Sequence, residues 1–149
     1  MSGCIVILLV RVQRLGKDDT RDVLGAAHLF DEPPDPEAIV VYLGDPRNML
    51  FLAYLGDVPV GFLRGTELNQ LKSVRKQMFL YEVAVEEGHR RQGVGTELVR
   101  ALLRHCREQN FEEIFVFTDD PQNIAAERLY RSTGARTETV GDRMYVYRP

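Results

Sequence analysis

EEGHRRQGVGTELVRALL, Glu86 to Leu103, opens with two acids, sets two arginines beside two glycines, and then turns helical. Val94, Leu98 and Leu102 recur every fourth position, which predicts an amphipathic helix starting near Gly93. A helix N-terminus already carries partial positive charge and N–H groups without intrahelical partners. Arg90 and Arg91 are unfavourable there unless an anion faces them. A P-loop needs Lys and then Ser or Thr after its last glycine, but Gly95 is followed by Thr96 and Glu97. A dinucleotide fingerprint needs a third glycine where Leu98 stands. What is left is Arg-x-x-Gly-x-Gly, Arg90 to Gly95, whose glycines let backbone amides approach a pyrophosphate. From this segment alone, a solvated arginine pair beside a turn stays an open alternative.

The rest of the composition narrows the classes. A chain of 149 residues, 44% hydrophobic and 28% charged, is expected to form one soluble domain over 1–149. Its net charge of −3 argues against general nucleic-acid binding. Cys106 shares the stripe of Val94, Leu98 and Leu102 and reads as a small core residue. There is no CxxC, and His28, His89 and His105 lack ligand spacing, so no metal is expected. CIVILLV, Cys4 to Val10, is too short to span a bilayer and lacks a basic flank and cleavage site. It reads as a buried strand, or as a start extended beyond the domain proper. The cytoplasm is the default compartment.

Along the chain, IVILLVRVQRL predicts a first strand. A helix follows, capped within Asp18 to Thr20 and carrying Val23, Leu24, Ala27 and Leu29. DEPPDPE is an acidic loop, since its prolines forbid a helix, and PEAIVVYLG is a second helix ending at Gly44. MLFLAYLGDVPVGFLRGTEL predicts a hairpin turning at Gly56-Asp57, and QMFLYEVAVEE a further long strand. EEIFVFTDD is a strand, NIAAERLYRSTG a helix closed by Gly134, and the tail a hairpin turning at Gly141-Asp142. The order β-α-α-β-β-β-α-β-α-β-β describes a mixed α/β (α+β) domain around a central sheet.

Asn-x-x-Ala-x-x-Leu-Tyr-x-x-x-Gly, Asn123 to Gly134, follows the strand after the arginine–glycine loop. Taken with YEVAVEEGHRRQGVGTEL, it resembles the GNAT N-acetyltransferase superfamily, whose members bind acetyl-CoA, and the element order agrees over nearly the whole chain. YLGDPRNMLFLAYLGDVPVGFL and the HLF before the acidic loop look like the GNAT-type aminoglycoside 3-N-acetyltransferases, with divergence past Asp119. The resemblance implies the GNAT fold, a mostly antiparallel mixed sheet flanked by helices. It implies that the anion is the CoA pyrophosphate, cradled by amides of Gln92, Gly93, Val94, Gly95 and Thr96 with charge from Arg90 and Arg91. Backbone groups of Val83 and Val85 would pair with the pantetheine arm, and Asn123 falls on the coenzyme side.

Amine acetylation needs a neutral amine, stabilisation of the developing oxyanion and a proton for the leaving thiolate. Tyr130 matches the family's tyrosine near the CoA sulfur and is implied as general acid; spacing alone also allows a core tyrosine beside Ala126 and Leu129. Glu82 interrupts FLYEVAV on the face shared by Leu80 and Ala84, where an unpaired charge is costly. The family often places an amine-directed carboxylate there. Asp119 and Asp120 end the next strand before Pro121, which is equally ordinary turn chemistry. The subgroup points to Asp120 as the contact to the amine, so Glu82 and Asp120 are expected to grip it together. Asp31, Glu32, Asp35 and Glu37 lie in the segment that walls the acceptor site across the superfamily, although charge runs are commonly just solvated.

The implied activity is acetyl transfer to the 3-amino group of an aminoglycoside, a resistance function. Alternatives are a polyamine, another small amine or a protein α-amine as acceptor, and a CoA-binding module without turnover. The family's frequent dimers admit a homodimer.

Overall fold

The computed structural model describes residues 3, 8–118, 123–136 and 148. The chain divides into two compact units, Met1–Val116 and Phe117–Pro149.

Among the described residues the first unit is built on five strands: β1 (Val10–Arg14), β2 (Asn48–Leu55), β3 (Val58–Leu68), β4 (Gln77–Val85) and β5 (Glu113–Phe115). They lie side by side in chain order. The first three pairings are antiparallel, and β4–β5 is parallel. Helices α1 (Thr20–Gly25) and α2 (Pro36–Gly44) precede β2, and α3 (Val94–Glu108) connects β4 to β5. This mixed sheet with flanking helices agrees with the sequence reading of the fold.

Successive strand residues point to opposite faces, and β3 shows which helix owns which face. Phe62 joins a buried cluster with Val23, Ile39 and Leu43 of the first two helices, Ala26 just after α1, and Leu50, Leu52 and Tyr54 of β2. Its neighbour Gly61 faces α3. A Cβ there would sit 2.9 Å from the Ala84 carbonyl oxygen and 3.0 Å from Val94 Cγ1. The missing side chain lets the amino end of α3 settle on the sheet beside β4. Burial of Val94, Leu98, Val99, Leu102 and Cys106 anchors the rest of the helix, each large apolar side chain contributing about 1.5–3 kcal/mol. The helix stops where Asn110 takes a φ of +56° and the Phe111 amide bonds the Cys106 carbonyl at 2.9 Å.

Three expectations need correction. Leu8 and Leu9 precede the strand and are exposed, so β1 starts at Val10 rather than Ile5; residues 4–7 lie outside the described residues. The first helix ends at Gly25 and passes into a 3₁₀ turn, Ala27–Leu29, with Val23 and Ala26 inward and Leu24 exposed. Asp19 is its N-cap residue, but its carboxylate accepts the Gly16 amide at 2.7 Å instead of capping the helix. The second unit holds α4 (Ile124–Ser132), closed by Gly134 at φ +102°. The predicted C-terminal hairpin lies outside the described residues.

Candidate active site

The loop from β4 to α3 is pinned at its start, where the Glu86 amide donates to the Val60 carbonyl at 2.8 Å. A 3₁₀ turn, Glu87–His89, follows. Arg90, Arg91 and Gln92 are exposed, and Arg91 adopts a φ of +65°. Gly93, at φ +80°, is the N-cap of α3 and brings no side chain to satisfy the helix end. The amides of Val94, Gly95 and Thr96 thus form the open positive end of the helix dipole. Val94 sends its side chain into the core, 1% exposed, so only its backbone is available to a ligand. The arrangement suits an anion approached by backbone groups.

Beside this loop, β4 has an open edge. Its parallel ladder with β5 covers only Gln77 to Phe79. From Leu80 to Val85, β4 pairs with β3 on one side and has no ladder partner on the other among the described residues. Val83 and Val85 lie on this stretch, opposite Leu63 and Gly61. A ligand with alternating amides could extend the sheet there.

Glu82 lies on the same stretch, but its setting differs from the strict alternation expected. The β3–β4 register slips at one point: Gly65 pairs with Leu80, and Arg64 with Glu82. Tyr81 is the extra residue of a β-bulge. Because Gly65 and Arg64 point to opposite faces, so do Leu80 and Glu82. Leu80 is buried, 3% exposed, and Glu82 takes the face of Phe62, toward the first two helices. The Glu82 side chain is 36% exposed, and its Oε2 accepts from Arg64 Nε at 2.8 Å. Arg64 also lies 4.2 Å from the centre of the Tyr81 ring. Tyr42 of α2 packs nearby, donating its hydroxyl to the Met49 carbonyl at 2.9 Å. Burial pushes that hydroxyl up to about 12, with smaller opposing influences from Arg64 and Glu82.

Sequence reasoning missed Arg64, Tyr42 and Tyr81. A signal existed for Arg64: VGFLRGTEL is interrupted by one basic residue as FLYEVAV is by one acidic residue. It also missed Glu86, whose carboxylate lies between His28 Nε2 at 3.9 Å and His89 Nε2 at 3.5 Å. Asp31 and Glu32 are exposed, whereas Asp35 caps α2, its Oδ2 accepting the Ala38 amide at 2.9 Å. In the second unit the Asn123 side chain caps α4 by accepting the Ala126 amide at 3.1 Å. Tyr130 is partly buried on a stripe with Ala126 and Leu129, and burial raises its hydroxyl above the ordinary value. Asp119 and Asp120 lie outside the described residues.

The model of the Acetyltransferase (GNAT) family matches residues 15–135, through both units. The chain belongs to the GNAT acetyltransferase family. Rat (Rattus norvegicus) N-acetyltransferase 8B is 33% identical over 93 residues, 62% of this chain and 41% of the relative. The chain thus spans about two fifths to just over half of the length of the curated relatives it matches. An aminoglycoside acetyltransferase from an uncultured soil metagenomic sample, solved with sisomicin, is 28% identical, with a TM-score of 0.83. The match covers 93% of this chain and 97% of that one. An aminoglycoside N-acetyltransferase solved with CoA shares the fold at 18% identity, a TM-score of 0.74 and 97% coverage of each chain.

Proposed function

We propose that the chain is an acetyl-CoA-dependent N-acetyltransferase whose acceptor is a small cationic amine, the 3-amino group of an aminoglycoside. The observation carrying the reading is the junction at β4: uncapped amides at the start of α3 adjoin a strand edge without a ladder partner among the described residues. The first fits a pyrophosphate and the second a peptide-like arm. Acetyl-CoA, when bound, supplies the acetyl group as an activated thioester. Amides of Gln92 to Thr96, with Arg90 and Arg91, hold its phosphates, and Val83 and Val85 offer backbone bonds to the arm. Asn123 serves the coenzyme side through its helix end.

Glu82 and Asp120 grip the amine, and one of them removes its proton. Tyr130 donates its hydroxyl proton at the leaving sulfur. Asp119, Asp31, Glu32 and Asp35 attract the remaining ammonium groups. The match to the sisomicin-bound acetyltransferase supports an aminoglycoside over other amines. The family match across residues 15–135 supports one catalytic domain over 1–149. Resistance to the antibiotic, exerted in the cytoplasm, belongs to the same reading.

Acetyl-CoA consumption over sisomicin, gentamicin, spermidine, a peptide α-amine and a neutral monoamine tests the proposal, with product NMR locating the acetyl group. Turnover of the aminoglycosides at the 3-amino group is expected. Equal turnover of neutral amines would remove the cationic acceptor, and CoA binding without turnover of any amine would leave only a binding module.

A further inference from the structure

Arg64 and Glu82 put opposite charges on paired positions of β3 and β4. Their side chains are 37% and 36% exposed, and a pair this open contributes little to stability. Its geometry is nevertheless tightly specified. Nε of Arg64 donates to Oε2 of Glu82, and Oε1 has no partner among the described residues. The guanidinium lies over the Tyr81 ring. That ring meets Phe79 edge-on, centroids 5.6 Å apart at 76°, and Phe79 stacks on Phe115 at 5.1 Å and 9°. A row of contacts therefore runs from β5 across β4 to one oxygen of one carboxylate. The bulge makes this arrangement possible, because it leaves Tyr81 out of register while keeping Glu82 opposite Arg64.

We infer that Arg64 is a positioning residue for the acceptor amine: it fixes one oxygen of Glu82 so that Oε1 is the one presented. The inference rests on the role assigned to Glu82 above. A glutamate has three side-chain torsions, and a carboxylate free to turn spends little time in a productive orientation. A planar guanidinium seated on an aromatic ring sets a direction that a lysine ammonium cannot.

The test is a double-mutant cycle in the full chain, with acetyl-CoA and sisomicin as probes. Arg64→Met should lower kcat about 10- to 100-fold while the KM for acetyl-CoA stays within about twofold. Arg64→Lys should recover part of the loss; it also carries the cycle should Arg64→Met not fold. In a Glu82→Gln background, replacing Arg64 should cost less than about threefold, since no carboxylate is left to orient. Equal losses in both backgrounds would overturn the inference. An unimpaired Glu82→Gln enzyme would instead count against the functional reading. A crystal structure of the Arg64 variant needs no turnover: the Glu82 carboxylate should leave its present rotamer, and an unmoved carboxylate sinks the proposal.

Discussion

The Glu97 amide donates to the Gly93 carbonyl at 3.0 Å, and this is the bond that opens the α3 ladder. The amides of Val94, Gly95 and Thr96, between those two residues, therefore have no carbonyl partner within the helix. Three consecutive donors at the positive end of a 15-residue helix, with two exposed arginines before them, are what the proposed coenzyme site rests on.

Gly93→Ala and Gly95→Val should each weaken CoA binding by at least about tenfold in calorimetry, with the far-UV spectrum retained. The causes differ. An added Cβ at Gly93 meets nothing within 4 Å, so the cost comes from its φ of +80°, about 1–2 kcal/mol for an L residue, and from the shift that relieves it. At Gly95 a branched side chain would stand between the amide and the phosphate. Wild-type affinity in both variants would take this loop out of the coenzyme site.

Burial raises the Tyr130 hydroxyl above its ordinary value of 10.0, so it remains protonated through neutral and mildly basic pH. That is the state a proton donor needs. Tyr130→Phe should lower kcat by roughly 10- to 1,000-fold with little change in acetyl-CoA affinity. The wild-type rate should show no loss below about pH 10 through ionisation of this residue. A kcat unchanged in Tyr130→Phe would reduce the tyrosine to packing.

Burial also pushes the Cys106 thiol from 9.0 up to about 12. The folded state keeps a proton that the unfolded state releases above pH 9. The stabilising contribution is complete below pH 9 and is lost as pH rises from 9 toward 12, at no more than about 1.4 kcal/mol per unit. Urea unfolding at pH 8, 9 and 10 should show this fall in wild type and a flatter profile in Cys106→Ala. Parallel profiles would mean that the thiol is not shielded as its 4% exposure implies.

The readability of the sequence followed the range of the interactions. Helix α3 was legible because its four-residue stripe, Val94 to Cys106, is a local pattern with one burial solution. The loop before it was legible as a turn, because a glycine just ahead of a helix can take the left-handed conformation that Gly93 adopts at φ +80°. The surroundings of Glu82 were not, since one bulge residue reverses every face assignment beyond it and nothing in FLYEVAV marks Tyr81 as extra. Arg64 escaped notice for the same reason: its partner is set by register between strands, not by spacing along either one. Apolar content alone also misplaced Leu8 and Leu9, because a strand needs a neighbour, and β2 pairs no described residue before Val10.

The acidic loop offers a test in which charge and structure can be separated at one residue. Asp35 is one of the acids proposed to attract the acceptor, and it also caps α2 through the Ala38 amide. Asp35→Asn keeps a capping oxygen and removes the charge; Asp35→Ala removes both. Asp35→Ala should therefore lose about 0.5–2 kcal/mol of stability, and Asp35→Asn almost none. If the loop attracts a polycation, Asp35→Asn combined with Asp31→Asn and Glu32→Gln should raise the sisomicin KM several-fold with kcat nearly unchanged. Asp31 and Glu32 are exposed, so their effect is screened beyond about 8–10 Å at ordinary ionic strength. The KM difference should shrink as salt rises from 50 to 500 mM, values chosen to bracket about 14 Å and 4 Å of screening length. A KM difference indifferent to salt would assign the loss to altered loop structure, and no KM difference at all would leave the loop a solvated connection between helices.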